Sequence, residues 1–215
     1  MKMIIGATTI PTISSTMYLL MLPNAYFLTY PRSGKNWLSW YLDLNTDLDI
    51  DFGHYVKVDK DTPEEFFKSR MYEIQVAAEK DYSKVFSIAR DPVECLASMN
   101  VMEDFSQIEF RSNQFLDHYS EMLKNNVTFF DFKDVIGSTE KVATFLCNKL
   151  GGSFLLTNDD FESYSTWHVE TQDKRKTVTS KKDSRYQDHL DYIKSLPLKN
   201  HYNLYAQALE KSVRL

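Results

Sequence analysis

At 215 residues, 43% of them hydrophobic and 14% aromatic, the chain is large enough to bury a core of its own and amounts to one domain, or one domain with a lid. A net charge of −5 excludes a general nucleic-acid binder, which needs a basic surface, but not a small anionic ligand, for which charge need only be local. Two cysteines, Cys95 and Cys147, are too few for a disulfide framework and have no metal-ligand neighbours, so both read as buried thiols in a reducing compartment.

Lys2 precedes an apolar stretch ending at Ala25, but its densest run, Met17 to Leu22, is only six residues between Thr16 and Pro23. That is too short to span a membrane and poor as a signal core. Residues 1–25 are therefore expected to be a loosely ordered leader, with Met17 or Met21 as alternative natural starts, on a cytoplasmic protein whose domain is 26–215.

Tyr26–Tyr30 is rich in β-branched and aromatic side chains and predicts a strand. It runs into Pro31, Arg32, Ser33 and Gly34, then into a helical pattern with Trp37, Leu38 and Tyr41 on one face. A strand, a tight loop and a helix in that order aim backbone N–H groups and the positive end of a helix dipole at one point, where Arg32 and Lys35 add full charges. Such a point is built for an anion. Gly34-Lys35 looks like the end of a Walker A loop, GxxxxGK[ST]. However, Thr29 stands where the first glycine belongs, and Asn36 where the Mg²⁺-holding hydroxyl belongs.

Further on, Leu48–Val58 alternates in part and predicts a second strand carrying Gly53 and His54. Thr62, Pro63 and Glu65 suit an N-cap, a first helical position and a capping box, and predict a helix whose apolar face is Phe67, Met71, Ile74 and Ala78. Lys84–Ala89 and Val127–Phe132 predict short buried strands. Between them, Phe115, Leu116, Tyr119, Met122 and Leu123 mark a helix. Another opens at Gly137-Ser138, with Val142, Phe145, Leu146 and Leu150 inward and Gly151 as its stop. This alternation predicts an α/β fold, a central parallel β-sheet flanked by helices on both faces.

Two further clusters carry chemistry. Arg90 stands at the carboxyl end of the Lys84–Ala89 strand, and Ser98 follows eight residues later in the next helix, so the two can converge on one phosphate. Lys174, Arg175, Lys176, Lys181 and Lys182, interleaved with Thr177, Thr179 and Ser180, lack an apolar period and repel one another. That segment is expected to be mobile in the free protein and to close over an anionic ligand.

The loop TYPRSGKNW, Thr29 to Trp37, resembles the 5′-phosphosulfate loop of sulfotransferases, usually TYPKSGTTW: six positions match, Arg32 replaces lysine, and Lys35-Asn36 replace two threonines. Arg90-Asp91-Pro92 with Ser98 is similar to the family's 3′-phosphate motif, an arginine in R-[DN]-P and a serine at the same separation. Phe132-Lys133-Asp134-Val135, Phe145-Leu146 and Leu150-Gly151 look like a loose version of its YEDL and FLG elements, with Phe132 lacking the tyrosine hydroxyl that helps place the adenine. Arg175-Lys176 is the nearest match to an RKG-like segment that covers the nucleotide.

The resemblance implies a P-loop NTPase-like sulfotransferase fold. It also implies transfer of a sulfuryl group from 3′-phosphoadenosine 5′-phosphosulfate (PAPS) to an acceptor hydroxyl or amine on a small molecule or carbohydrate, without metal. Arg32, Ser33, Gly34, Lys35 and Asn36 would hold the 5′-phosphosulfate, Trp37 would pack beside the adenine, and Arg90, Ser98, Arg175 and Lys176 would hold the 3′-phosphate. Arg32 and Lys35 would stabilise charge developing on the leaving phosphate.

His54, between the two nucleotide motifs as in the family, is the candidate general base, although FGHYVK does not reproduce the usual KTH context; His168 is the reserve. Phe154, Phe161, Tyr164 and Trp167 suit either an acceptor pocket or a core beneath a loop. A P-loop kinase, an inactive nucleotide-binding module and a structural protein on the same fold remain alternatives at this stage.

Overall fold

The computed structural model describes residues 25–60, 62–100, 105–155 and 186–215. Residues 1–24 of the expected leader, the basic segment with Arg175 and Lys176, and His168, Phe161, Tyr164 and Trp167 lie outside the described residues.

Four strands, β1 (Ala25–Thr29), β2 (Ile50–His54), β3 (Val85–Ala89) and β4 (Thr128–Asp131), form one all-parallel sheet in the order β2-β1-β3-β4. Among the described residues eight α-helices accompany them: α1 (Lys35–Asn45), α2 (Arg70–Glu79), α3 (Pro92–Asn100), α4 (Ile108–Lys124), α5 (Phe132–Gly137), α6 (Thr139–Leu150), α7 (Tyr186–Lys194) and α8 (Lys199–Glu210). The expected α/β architecture with a central parallel sheet is present.

The strand period of two divides β1 between two cores. Tyr26 and Leu28 face one, with Ile74 and Ala78 of α2, Leu96 of α3, Phe115, Tyr119 and Met122 of α4, Ile193 of α7 and Ala208 of α8. Ala25 and Phe27 face the other, with Trp37, Leu38, Trp40 and Leu42 of α1, Val135 of α5, and Val142, Ala143 and Leu146 of α6. The sheet is thus covered on both faces, as an all-parallel sheet requires. Within the second core Phe27 stacks on Phe52 of β2 (centroids 4.9 Å apart), Phe86 of β3 (5.4 Å) and Phe130 of β4 (6.0 Å), so one aromatic row ties all four strands together. Cys95 and Cys147 are both free and buried.

Three expected boundaries differ. The second strand stops at His54, because β1, its partner in the Thr29–His54 register, ends where the chain turns into the loop. Beyond it the Val56 backbone bonds the Gln75 side chain instead, N–H to Oε1 and Nε2–H to O, both at 2.9 Å. No α-helix starts at Thr62. Its hydroxyl accepts from the Asp59 N–H (2.9 Å) and closes a turn, Phe66–Lys68 form a 3₁₀ turn, and α2 begins after Ser69, whose hydroxyl caps Tyr72 N–H. Phe67 is accordingly exposed, whereas Ile74 and Ala78 are buried as expected. Phe132 opens a helix rather than ending a strand, because Asp131 accepts from Lys133 N–H (2.9 Å) and caps α5. The following helix then starts at Thr139 after a break at Ser138.

The chain winds from β1 outward to β2, then returns to place β3 on the other side of β1. A parallel α/β sheet opens a crevice at such a reversal, outside the carboxyl ends of the two strands concerned. Here those ends carry the loop after Thr29 and Arg90 after Ala89.

Candidate functional site

The loop leaves β1 through Tyr30, whose hydroxyl donates to the Arg111 carbonyl on α4 (3.0 Å), and turns tightly as Ser33 N–H bonds the Tyr30 carbonyl (3.3 Å). Arg32 (φ 65°) and Gly34 (φ 92°) are both left-handed, a conformation with which tight loops can turn backbone N–H groups toward an anion. Gly34 is required twice over, since its φ suits glycine and a Cβ there would lie 2.9 Å from the Phe132 ring. For Arg32 the same conformation costs roughly 1–2 kcal/mol, offset by the contacts of its side chain described below.

At α1, Gly34 offers no side-chain cap and the first turn has no acidic residue, so neither a cap nor a first-turn carboxylate offsets the positive end of this helix. The Ser33 hydroxyl is fully buried and has no hydrogen-bond partner among the described residues. An unsatisfied hydroxyl in a buried loop costs about 1–3 kcal/mol until something accepts or donates to it.

Two polar groups flank this loop. On the β3 side, Arg32 Nε donates to Ser98 Oγ (2.9 Å) and Arg90 Nη1 donates to the Arg32 carbonyl, so Arg32, Arg90 and Ser98 meet at one place. Arg90 is held from several directions. Its backbone N–H bonds Tyr119 Oη (2.9 Å), its guanidinium pairs with Glu94 (3.1 Å), and it stacks 4.1 Å from the Phe132 ring centroid. A cavity of about 370 Å³ opens beside it, lined by Arg90, Glu94, Asp131, Phe132, Lys133, Ile136 and Tyr205.

On the β2 side stand Lys35 and His54. Lys35 has no carboxylate partner among the described residues, and burial pushes its ammonium below the usual lysine range. His54 Nδ1 donates to the Thr29 carbonyl (2.9 Å), which in the neutral ring leaves Nε2 as the proton acceptor. Burial first, then the charges of Lys35 and Arg111, lower His54 to about 4, while the bond to Thr29 works against them. At neutral pH the ring is therefore unprotonated and able to accept a proton, though a weak base until negative charge arrives nearby.

Some expected site residues are placed differently. Trp37 is buried in the core beneath the loop, its indole N–H shared between the Val135 carbonyl (3.0 Å) and Thr139 Oγ1 (2.9 Å) and its ring stacked on Trp40. Asn36 is exposed in the first turn of α1. Phe154 is exposed, and its backbone bridges to Thr46.

Sequence reading missed Arg111 and His118, both on α4. His118 breaks the apolar helix face of Phe115 and Tyr119, a signal that was available. It is buried, bonds Ser87 Oγ through Nε2 (3.1 Å), and is lowered by burial and by His54 to about 3. It is a neutral core group behind the site. Among the described residues no helix is long and apolar enough to cross a membrane.

Comparison with protein-family models, with curated proteins and with solved structures found no match in any of the three.

Proposed function

We propose that this chain is a sulfotransferase that moves a sulfuryl group from PAPS to an acceptor hydroxyl or amine, on a P-loop-like sulfotransferase fold and without metal. The observation that carries this reading is the convergence of Arg32, Arg90 and Ser98 beside an uncapped helix start at the strand-order reversal, with the orphan Ser33 hydroxyl buried in the loop. A donor with anionic groups at both ends suits a loop with Arg32 and Arg90 on one side and Lys35 on the other.

PAPS would supply the activated sulfuryl group. The left-handed residues Arg32 and Gly34 shape a loop whose amides bind its 5′ end, and Ser33 gains the partner it lacks. Lys35, partly buried and without a carboxylate partner among the described residues, stabilises charge where it grows on the departing phosphate. Arg90 and Ser98 take the 3′-phosphate. In its bond to Arg32, Ser98 accepts, and a hydroxyl that accepts also carries a proton to donate. Arg175 and Lys176 remain part of the proposal as cover for the nucleotide. Phe132, stacked on Arg90 in the cavity wall, offers an aromatic ring to the adenine. Trp37 supports this from below by fixing α1 against α5 and α6. His54 Nε2 takes the acceptor proton.

A nucleotide-binding module without transfer is the second reading, favoured by how far burial lowers the basicity of His54. The two separate when the protein is incubated in EDTA with ³⁵S-labelled PAPS and a panel of saccharides, phenols and amines. Label appearing on an acceptor is the expected result. Nucleotide binding with no label on any acceptor class would assign the module instead.

A further inference from the structure

Beyond His54 the chain passes through Val56, Lys57 and Asp59 and faces the amino-terminal half of α4 across a second cavity of about 460 Å³. On the helix side Phe110, Asn113, Gln114 and Asp117 recur at the i, i+3, i+4 and i+7 positions of one face. Its wall begins two residues after His54, and Arg111 links the two places, its carbonyl accepting from Tyr30 at the loop and its guanidinium bonding Gln114 in the cavity wall. Arg111 Nη1 donates to Gln114 Oε1 (2.7 Å), and the Arg111 charge is close enough to act on His54.

Building on the sulfotransferase reading, we infer that this cavity is the acceptor subsite and that it takes a neutral saccharide. Three features point there. Phe110 is 54% exposed, with the Arg111 guanidinium over one face of its ring (5.1 Å from the centroid), and the opposite face would stack on the C–H face of a sugar ring. Val56 and Leu116 also line the wall, but most of its residues are polar, with two amide side chains and two carboxylates able to pair with several hydroxyls at once, whereas a flat phenol or steroid needs enclosing apolar walls. Lys57 is paired with Asp117 (3.2 Å), Arg111 bonds Gln114 and lies over the Phe110 ring, and Asp59 stands in the same wall, so two cations and two carboxylates balance and the cavity offers no net positive charge to a uronate or an already sulfated sugar. In the reaction a sugar hydroxyl oxygen forms a bond to sulfur as the bond from sulfur to the phosphate oxygen breaks. The hydroxyl proton passes to His54 Nε2, and 3′-phosphoadenosine 5′-phosphate leaves.

The test is saturation-transfer NMR and calorimetry with chitotetraose, cellotetraose and 2-naphthol, each with and without 3′-phosphoadenosine 5′-phosphate, on the wild type and on Phe110→Ala and Asn113→Ala. Both substitutions fall at exposed positions, so the fold should be retained. At least one saccharide should bind, each variant should weaken it about 10-fold, and nucleotide affinity should not change. Binding of 2-naphthol alone, binding of none of the three, or saccharide binding that neither variant alters overturns the inference and leaves the transfer reading standing. Failure of the wild type to bind the nucleotide overturns the transfer reading, whatever the saccharides do.

Discussion

A His54→Ala protein should bind 3′-phosphoadenosine 5′-phosphate as the wild type does and transfer the sulfuryl group about 10²- to 10⁴-fold more slowly, the usual contribution of a general base. The side chain stands at the carboxyl end of β2, with Nδ1 committed to the Thr29 carbonyl and Nε2 left to accept. The pH dependence is distinctive. Protonation in the free enzyme is held to about 4, so kcat/KM should stay flat as pH falls from 8 to 5, where an ordinary histidine would lose activity below about 6.5. In the complex the sign reverses. The negative charges of the nucleotide offset Lys35 and Arg111, stabilise the imidazolium and raise its pKa, so the acid limb of kcat should appear at higher pH than that of kcat/KM. Retained transfer in His54→Ala, or an acid limb of kcat/KM near 6.5, would assign the proton to another acceptor.

Replacing Arg90 by alanine should weaken nucleotide binding about 10- to 100-fold, since a hydrogen bond to a charged group is worth about 1.5–3 kcal/mol. The guanidinium is well placed for this. Tyr119 fixes its backbone, Phe132 supports its plane, and a second bond reaches the Arg32 carbonyl in the loop. Truncation also leaves Glu94 facing the cavity without this partner, so Arg90→Lys is the useful companion: it keeps the charge but loses the planar fork, and should fall between wild type and alanine. Ser98→Ala should cost less than Arg90→Ala. Wild-type calorimetric affinity in a folded Arg90→Ala protein would move the 3′-phosphate elsewhere.

The features that sequence made legible are those whose physics is local. Five apolar or β-branched residues before Pro31 gave β1 to within one residue, and the buried run before Arg90 gave β3. The run Pro31 to Gly34 marked the loop, whose left-handed Arg32 and Gly34 only the structure shows, while Ser98, paired with Arg90 by its eight-residue spacing, bonds Arg32 of the loop. Partners decided the rest. Thr62, Pro63 and Glu65 carry a helix-start pattern, but Asp59 claimed the Thr62 hydroxyl first, and Ser69 capped the helix seven residues later. Trp37 matches a nucleotide-binding position in the motif. Only packing against Val135 and Thr139, about a hundred residues on, shows that its N–H faces the core. Arg111 reaches the site through the tertiary placement of α4 under Tyr30, which no local pattern encodes.

The central claim is that the crevice holds a nucleotide bearing phosphate at both ends, and calorimetry in EDTA tests it most directly by comparing 3′-phosphoadenosine 5′-phosphate with ADP. The bisphosphate should bind without metal and, at 100 times its dissociation constant, stabilise the fold by about 2.7 kcal/mol, while ADP, lacking the 3′-phosphate, should bind at least 10-fold more weakly. Equal affinity for the two, or binding only when Mg²⁺ is added, would contradict it.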